Sequence, residues 1–188
     1  MILSLLVITI LAGLSLGFVN NLTTGPKAKA KLERKIKALK QVLPKFNNNP
    51  VEDMTTLKLD FVKDSIEVYP ASLNKKYVGT AVIGFSEKGF SGSVKIMVGF
   101  TPDGTIQNIA VLEQKETPGL GTKMKGEKFI QQYRGKNPES FNLKVKKDGG
   151  EIDALTGATI STRAFSGAVQ MAYDVFASEQ AFKIKEKE

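Results

Sequence analysis

Apolar and polar positions divide the chain into three regimes. Residues 1–19 are almost wholly apolar, interrupted only by Ser4, Thr9, Ser15 and glycines, and they carry no charged side chain. As a helix this run would rise about 28 Å, close to the roughly 30 Å of a bilayer's hydrocarbon core. No polar face appears at any helical period, which argues against a buried core helix and for a transmembrane anchor. A cleaved signal peptide is the rival reading; against it, no basic residue precedes the run and only Ser15-Leu16-Gly17 approaches a cleavage site. Farther on, Leu32, Ile36, Leu39 and Val42/Leu43 recur at i, i+4, i+7 and i+10/i+11. They predict an amphipathic helix that stops near Pro44.

After a polar linker at 47–50 the period changes to two. Residues 77–85, 92–100 and 105–113 read as strands, rich in Val, Ile and Phe, with turns at 86–89 and at Thr101-Pro102-Asp103-Gly104. Val94, Ile96, Val98 and Phe100 define one buried face, and Lys95 should point the other way, as in a half-exposed antiparallel sheet. Alternation slips at Gln107-Asn108, the mark of a bulge. A short helix is predicted over 126–133, with Phe129, Ile130 and Tyr133 on one face. A further strand is predicted over 141–145, turned at 147–150. The last helix should run over about 161–179 on the stripe Phe165, Ala168, Val169, Ala172 and Phe176, and the charged tail at 183–188 should fray. The expected fold is α+β: an N-terminal transmembrane helix and a basic amphipathic helix, then a mainly antiparallel sheet packed with helices. The expected organisation is an anchor at 1–20, a basic helix and linker at 21–50, and a folded domain at 51–188.

Composition narrows the chemistry. The 188 residues include neither Cys nor His, so disulfides, thiolate or Fe–S ligation, zincin sites and Ser-His-Asp triads are all excluded, and no metal ligands or catalytic residues are assigned. Charge is concentrated. Lys27, Lys29, Lys31, Arg34, Lys35, Lys37, Lys40 and Lys45 face Glu33 alone, so all but one unit of the formal net charge of +8 lies in this stretch. A nucleic-acid surface would carry its basic residues on the folded part with interleaved aromatics, so no nucleic-acid partner is expected. Two readings fit the basic helix: a surface for membrane lipid, or a solvated stalk that packs on a partner. By the positive-inside rule, the same lysines would place the folded region after them in the cytoplasm.

Two short motifs could carry chemistry. Asp153-Ala154-Leu155-Thr156-Gly157-Ala158-Thr159-Ile160-Ser161-Thr162 opens the last helix. Its small residues and hydroxyls, set where free helix N–H groups point outward, suit a phosphate. They equally suit an ordinary N-cap. Glu116-Thr117-Pro118-Gly119-Leu120-Gly121 is a tight loop with exposed amides, one apolar tip and a carboxylate at its start. It could lie against a flat ring, or simply connect a strand to a helix.

Taken together, and behind an N-terminal anchor, these motifs closely resemble those of the G subunit of the Rnf ion-translocating electron-transport complex, whose FMN-binding domain is shared with the C subunit of the sodium-pumping NADH:quinone reductase. The resemblance implies FMN attached covalently through its phosphate to Thr159. A flavin transferase outside the cytoplasmic membrane installs it, drawing FMN from FAD with Mg²⁺, and Asp153, Thr156, Gly157 and Ala158 match the sequence it recognises. Thr156 stands where many relatives have Ser. The resemblance also implies a single-pass subunit of the cell membrane with its folded domain extracytoplasmic, against the charge rule. It would assemble with the other subunits of the complex, which exchanges electrons between ferredoxin and NAD⁺ and moves Na⁺ or H⁺.

On that footing the chain is an electron-transfer subunit, not catalytic alone. The flavin ring is expected between the 116–121 loop and the 153–162 turn, with Leu120 and Leu155 as apolar contacts. Gly119, Leu120 and Gly121 amides and the Thr117 hydroxyl would bond its polar edge, Ser161 and Thr162 would hold phosphate oxygens, and Glu116 would stand nearby. The alternatives are a covalent FMN subunit of another membrane reductase and a non-redox, membrane-tethered adaptor.

Overall fold

A computed structural model describes residues 2–58 and 65–185, with side chains through Glu179. It divides into two compact units, Met1–Ile36 and Lys37–Glu188.

One helix, α1 (Ile2–Val42), runs through the apolar run and the basic stretch, where the sequence suggests two helices. Pro26 lies inside it. Proline removes one backbone donor and crowds the carbonyl one turn back, and the helix continues past it unbroken. In the first unit the hydroxyls of Thr9, Ser15, Thr23 and Thr24 donate to carbonyls one turn back, at 2.7–3.1 Å, so these polar groups are satisfied within the helix itself. The helix is long and apolar enough to cross a membrane.

In the second unit, five strands form an antiparallel meander in the order β1 (Thr55–Leu57), β2 (Ile66–Leu73), β3 (Lys76–Ser86), β4 (Val94–Phe100) and β5 (Ile106–Glu113). The three strongest period-2 runs are therefore strands. The slip at Gln107 is a bulge, since Gly99 pairs with Asn108 and Phe100 with Ile106. Strand β2 has weak sequence signals because Pro70 interrupts it. Pro70 is tolerated because β1 pairs only with residues 66–68; beyond it the edge is held by the linker, through Asn47 N to Ser72 O at 3.0 Å and Ser72 N to Asn48 Oδ1 at 2.9 Å.

Both faces of the sheet are covered, which corrects the half-exposed expectation. On one face Val94, Ile96, Val98 and Phe100 pack against α3 (Thr159–Lys185). On the other, Tyr69, Ala81, Ile83 and Met97 pack against Ala38, Leu39, Val42 and Leu43. The end of the amphipathic stripe thus finds its partner in the chain's own sheet, while Leu32 and Ile36 are exposed. Glycines permit the approach: a Cβ on Gly84 would overlap the Ala168 carbonyl of α3, and one on Gly99 would overlap the Val42 carbonyl.

The strand expected at 141–145 is absent. Leu143 and Val145 are buried, but only one parallel bridge, Val145 to Ile152, forms around a 3-10 turn at Lys146–Asp148. The helix expected over 126–133 is shorter, α2 (Glu127–Ile130), and continues as turns; Phe129, Ile130 and Tyr133 are buried in the core as expected. Helix α3 starts two residues earlier and ends later than its apolar stripe suggests; residues 186–188 of the tail lie outside the described residues.

Candidate functional site

Packing decides where α3 begins. Phe165 is fully buried against Phe129 and Tyr133, with ring centroids 5.1 Å from each, and the Tyr133 hydroxyl shares a 2.9 Å hydrogen bond with buried Ser166. Burial pushes the Tyr133 phenol well above its ordinary value, so it stays neutral. A second tie is exposed: Arg163 donates from Nε and Nη2 to the Asp148 carboxylate, both at 2.7 Å.

Inside the turn before α3, Thr162 Oγ1 donates to the Ala158 carbonyl and accepts from the Leu155 N–H, each at 3.0 Å. Gly157 has φ +73°, a left-handed conformation that Gly adopts without a Cβ clash, and this reverses the chain into the helix. The first-turn N–H groups then have no carbonyl one turn back. The positive end of the helix dipole faces outward beside Thr159, which is half-buried.

Facing that terminus is the loop after β5. Together they enclose a cleft of about 380 Å³ lined by Glu116, Thr117, Leu120, Gly121, Gly157, Ala158, Thr159 and Ser161, with Phe90 and Ile160 added by the fold. The size is that of small-molecule pockets, and apolar walls with a few convergent polar groups are their usual make-up. Eight of the sequence-derived residues thus meet in one place, although the two motifs are more than 30 positions apart.

Glu116 is the most constrained of them. Its side chain is buried; Oε2 accepts from Ser161 Oγ at 2.6 Å and Oε1 from Ser91 N at 3.3 Å. One carboxyl therefore joins three segments: the cleft loop, the first turn of α3 and the β3–β4 turn. Gly121 fits beneath because a side chain there would meet Glu116 and Ser161.

Other expected site residues have their polar groups engaged within the chain or lie outside the cleft lining. Thr162 engages its hydroxyl within the turn, is fully buried and is not among the residues that line the cleft. The Ser161 hydroxyl is committed to Glu116. Two of the three loop amides are used locally, Gly119 N to Thr122 Oγ1 at 3.0 Å and Leu120 N to Thr117 O at 3.2 Å, and Gly119 is outside the cleft lining. Leu155 is outside the cleft lining: it packs on the core and, with Asp153 and Thr156, borders a separate concavity of about 620 Å³ that also holds Lys123 and Gln132. Asp153 is exposed, paired with Lys146 at 2.8 Å, and its backbone is clasped by Gln132. Phe90 was missed; its one signal in the sequence is a large aromatic between two turn glycines, and in the structure it is 67% exposed.

Residues 89–174, which include both walls of this cleft, match the family model of the FMN-binding domain. The chain is 31% identical over 183 residues to the G subunit of the Na(+)-translocating ferredoxin:NAD(+) oxidoreductase complex of Acetobacterium woodii, covering 92% of this chain and 88% of that one. It is 39% identical over 123 residues to the G subunit of the ion-translocating oxidoreductase complex of Aliivibrio fischeri, covering 63% of this chain and spanning 59% of that protein's length. Among solved structures it is similar to Shewanella oneidensis NqrC, at 24% identity and a TM-score of 0.47, covering 69% of this chain and 71% of that one. The chain belongs to the G-subunit family of ion-translocating oxidoreductase complexes.

Proposed function

We propose that this chain is the membrane-anchored flavoprotein subunit of such a complex, carrying FMN as a phosphoester on Thr159 and relaying electrons between neighbouring subunits. The observation that supports it most is the position of Thr159, at the N-terminus of α3 and on the wall of the cleft it shares with residues 116–121. A phosphodiester there keeps one negative charge where the helix dipole and first-turn amides stabilise it. The bound FMN would supply the redox chemistry. The chain's own residues do the holding: Leu120, Gly121 and Gly157 offer close apolar and backbone contact, Thr117 a polar edge, and Glu116 keeps loop and helix together.

The attachment step proposed here is an exchange on FAD. The Thr159 hydroxyl oxygen bonds to the flavin-bearing phosphorus of FAD, AMP leaves, and the hydroxyl proton is released; a flavin transferase with Mg²⁺ performs this step. Asp153 and Thr156, exposed on the neighbouring concavity, are open to such an enzyme. Helix α1 would hold the domain at the membrane on the extracytoplasmic side. The complex would couple ferredoxin and NAD⁺ to Na⁺ or H⁺ movement.

The test is co-expression with a flavin transferase, followed by denaturing electrophoresis under ultraviolet light and intact mass. Wild type should fluoresce and be heavier by one FMN less one water, and Thr159→Ala should be dark and unmodified. A dark wild type, with the transferase active on a known acceptor, would leave 156–162 as a helix cap alone.

A further inference from the structure

Phe90 is a large apolar side chain left 67% exposed on a domain whose other core-sized aromatics are mostly buried. It sits at the tip of the turn between β3 and β4, more than 25 positions from the nearest residue of either motif, yet it lines the same cleft as Leu120 and Thr159. Its place is not that of a loose loop. On one side of it Ser91 N donates to Glu116 Oε1 at 3.3 Å; on the other, Gly89 lies so close to Glu116 and to the Gly92 carbonyl that a Cβ would meet both. The buried carboxyl that fixes the first turn of α3 through Ser161 therefore also fixes the turn that carries Phe90. Aromatic side chains seldom stay in water when a flat apolar partner is within reach.

Resting on the FMN reading of this cleft, we propose that Phe90 is its outer wall and lies against the flavin ring, with Glu116 as the positioning residue that holds it there. The β3–β4 turn thus contributes an aromatic ring to the cleft that Leu120 also lines.

The experiment uses the full chain, flavinylated by co-expression and purified in detergent, as wild type, Phe90→Trp, and Phe90→Trp combined with Glu116→Gln. Flavin emission is read in the native protein and again after unfolding in guanidinium, and the ratio cancels differences in loading. An indole in contact with an excited flavin passes it one electron and takes it back on relaxation, which quenches emission; a phenyl ring does not. Phe90→Trp should lower the native-to-unfolded ratio several-fold while its intact mass still shows the addition of one FMN less one water. Adding Glu116→Gln puts an amide N–H₂ where one carboxylate oxygen accepted, and should return the ratio toward wild type. A flavinylated Phe90→Trp protein with the wild-type ratio would overturn the contact, and quenching that survives Glu116→Gln would overturn the positioning role. A wild type of unmodified mass would instead overturn the FMN reading and this proposal with it.

Discussion

At Thr162 a residue type that suits a ligand turns out to serve the backbone. The hydroxyl both donates to Ala158 O and accepts from Leu155 N in a fully buried position, closing the turn that precedes α3. Removing it without changing shape separates the two roles. Thr162→Val should cost about 1–3 kcal/mol of stability in urea unfolding, as expected for stranding a buried backbone group. It should still be flavinylated to the wild-type extent by intact mass, whereas a phosphate-holding hydroxyl would show reduced modification. The types and order of residues in the 153–162 run are plain in the sequence; which hydroxyl points to the cleft and which to the chain is not. That depends on Gly157 taking φ +73° and turning the chain into the helix. Ser161 carries the same lesson, because its partner, Glu116, stands 45 positions away.

Among the elements, α3 is held at its start by two unlike devices. Buried aromatic contacts to Phe129 and Tyr133 act below it, and the Arg163–Asp148 pair acts at the surface. The hydrogen bond from Arg163 holds the Asp148 carboxyl below its ordinary value, outweighing the opposing desolvation, with the charges of Arg163 and Lys144 adding to the lowering. A carboxyl lowered in the folded state contributes stability above its unfolded pKa, about 3.9, and loses that contribution as pH falls through the lower folded value. Asp148→Asn should therefore melt below wild type at pH 7, with a difference that narrows below about pH 4. A difference that is constant from pH 7 to pH 3 would mean the pair plays no part. Strands β3, β4 and β5 were legible because alternation of Val, Ile and Phe reports burial on one face. Strand β2 was hidden by Pro70, and residues 141–145 imitate a strand because Leu143 and Val145 are buried without a ladder beside them.

For the whole molecule, the boundary between anchor and folded domain has energetic content. Ala38, Leu39, Val42 and Leu43 are buried on the second face of the sheet. At about 1.5–3 kcal/mol for each large side chain, their loss is comparable to the total stability of a typical domain. A chain beginning at Lys37 should fold, give a single cooperative melt and accept flavin. One beginning at Val51 should be insoluble or molten, because Tyr69, Ala81, Ile83 and Met97 are uncovered. Dispersed amide resonances and a cooperative melt from the shorter chain would show that the helix end contributes little.

What the sequence by itself determined is what local pattern can encode. The apolar run that can span a membrane, three strands, the stripe of α3 and the residue types of two motifs are each a property of consecutive positions. Periodicity records whether a side chain is buried, but not against what. Tertiary structure alone decided that the basic helix ends on the chain's own sheet, that Glu116 ties three segments together, that Phe90 lines the cleft and that Leu155 packs on the core. These are pairings between distant positions, set by how closely Gly84 and Gly99 let helices approach the sheet and by which buried polar groups then find partners.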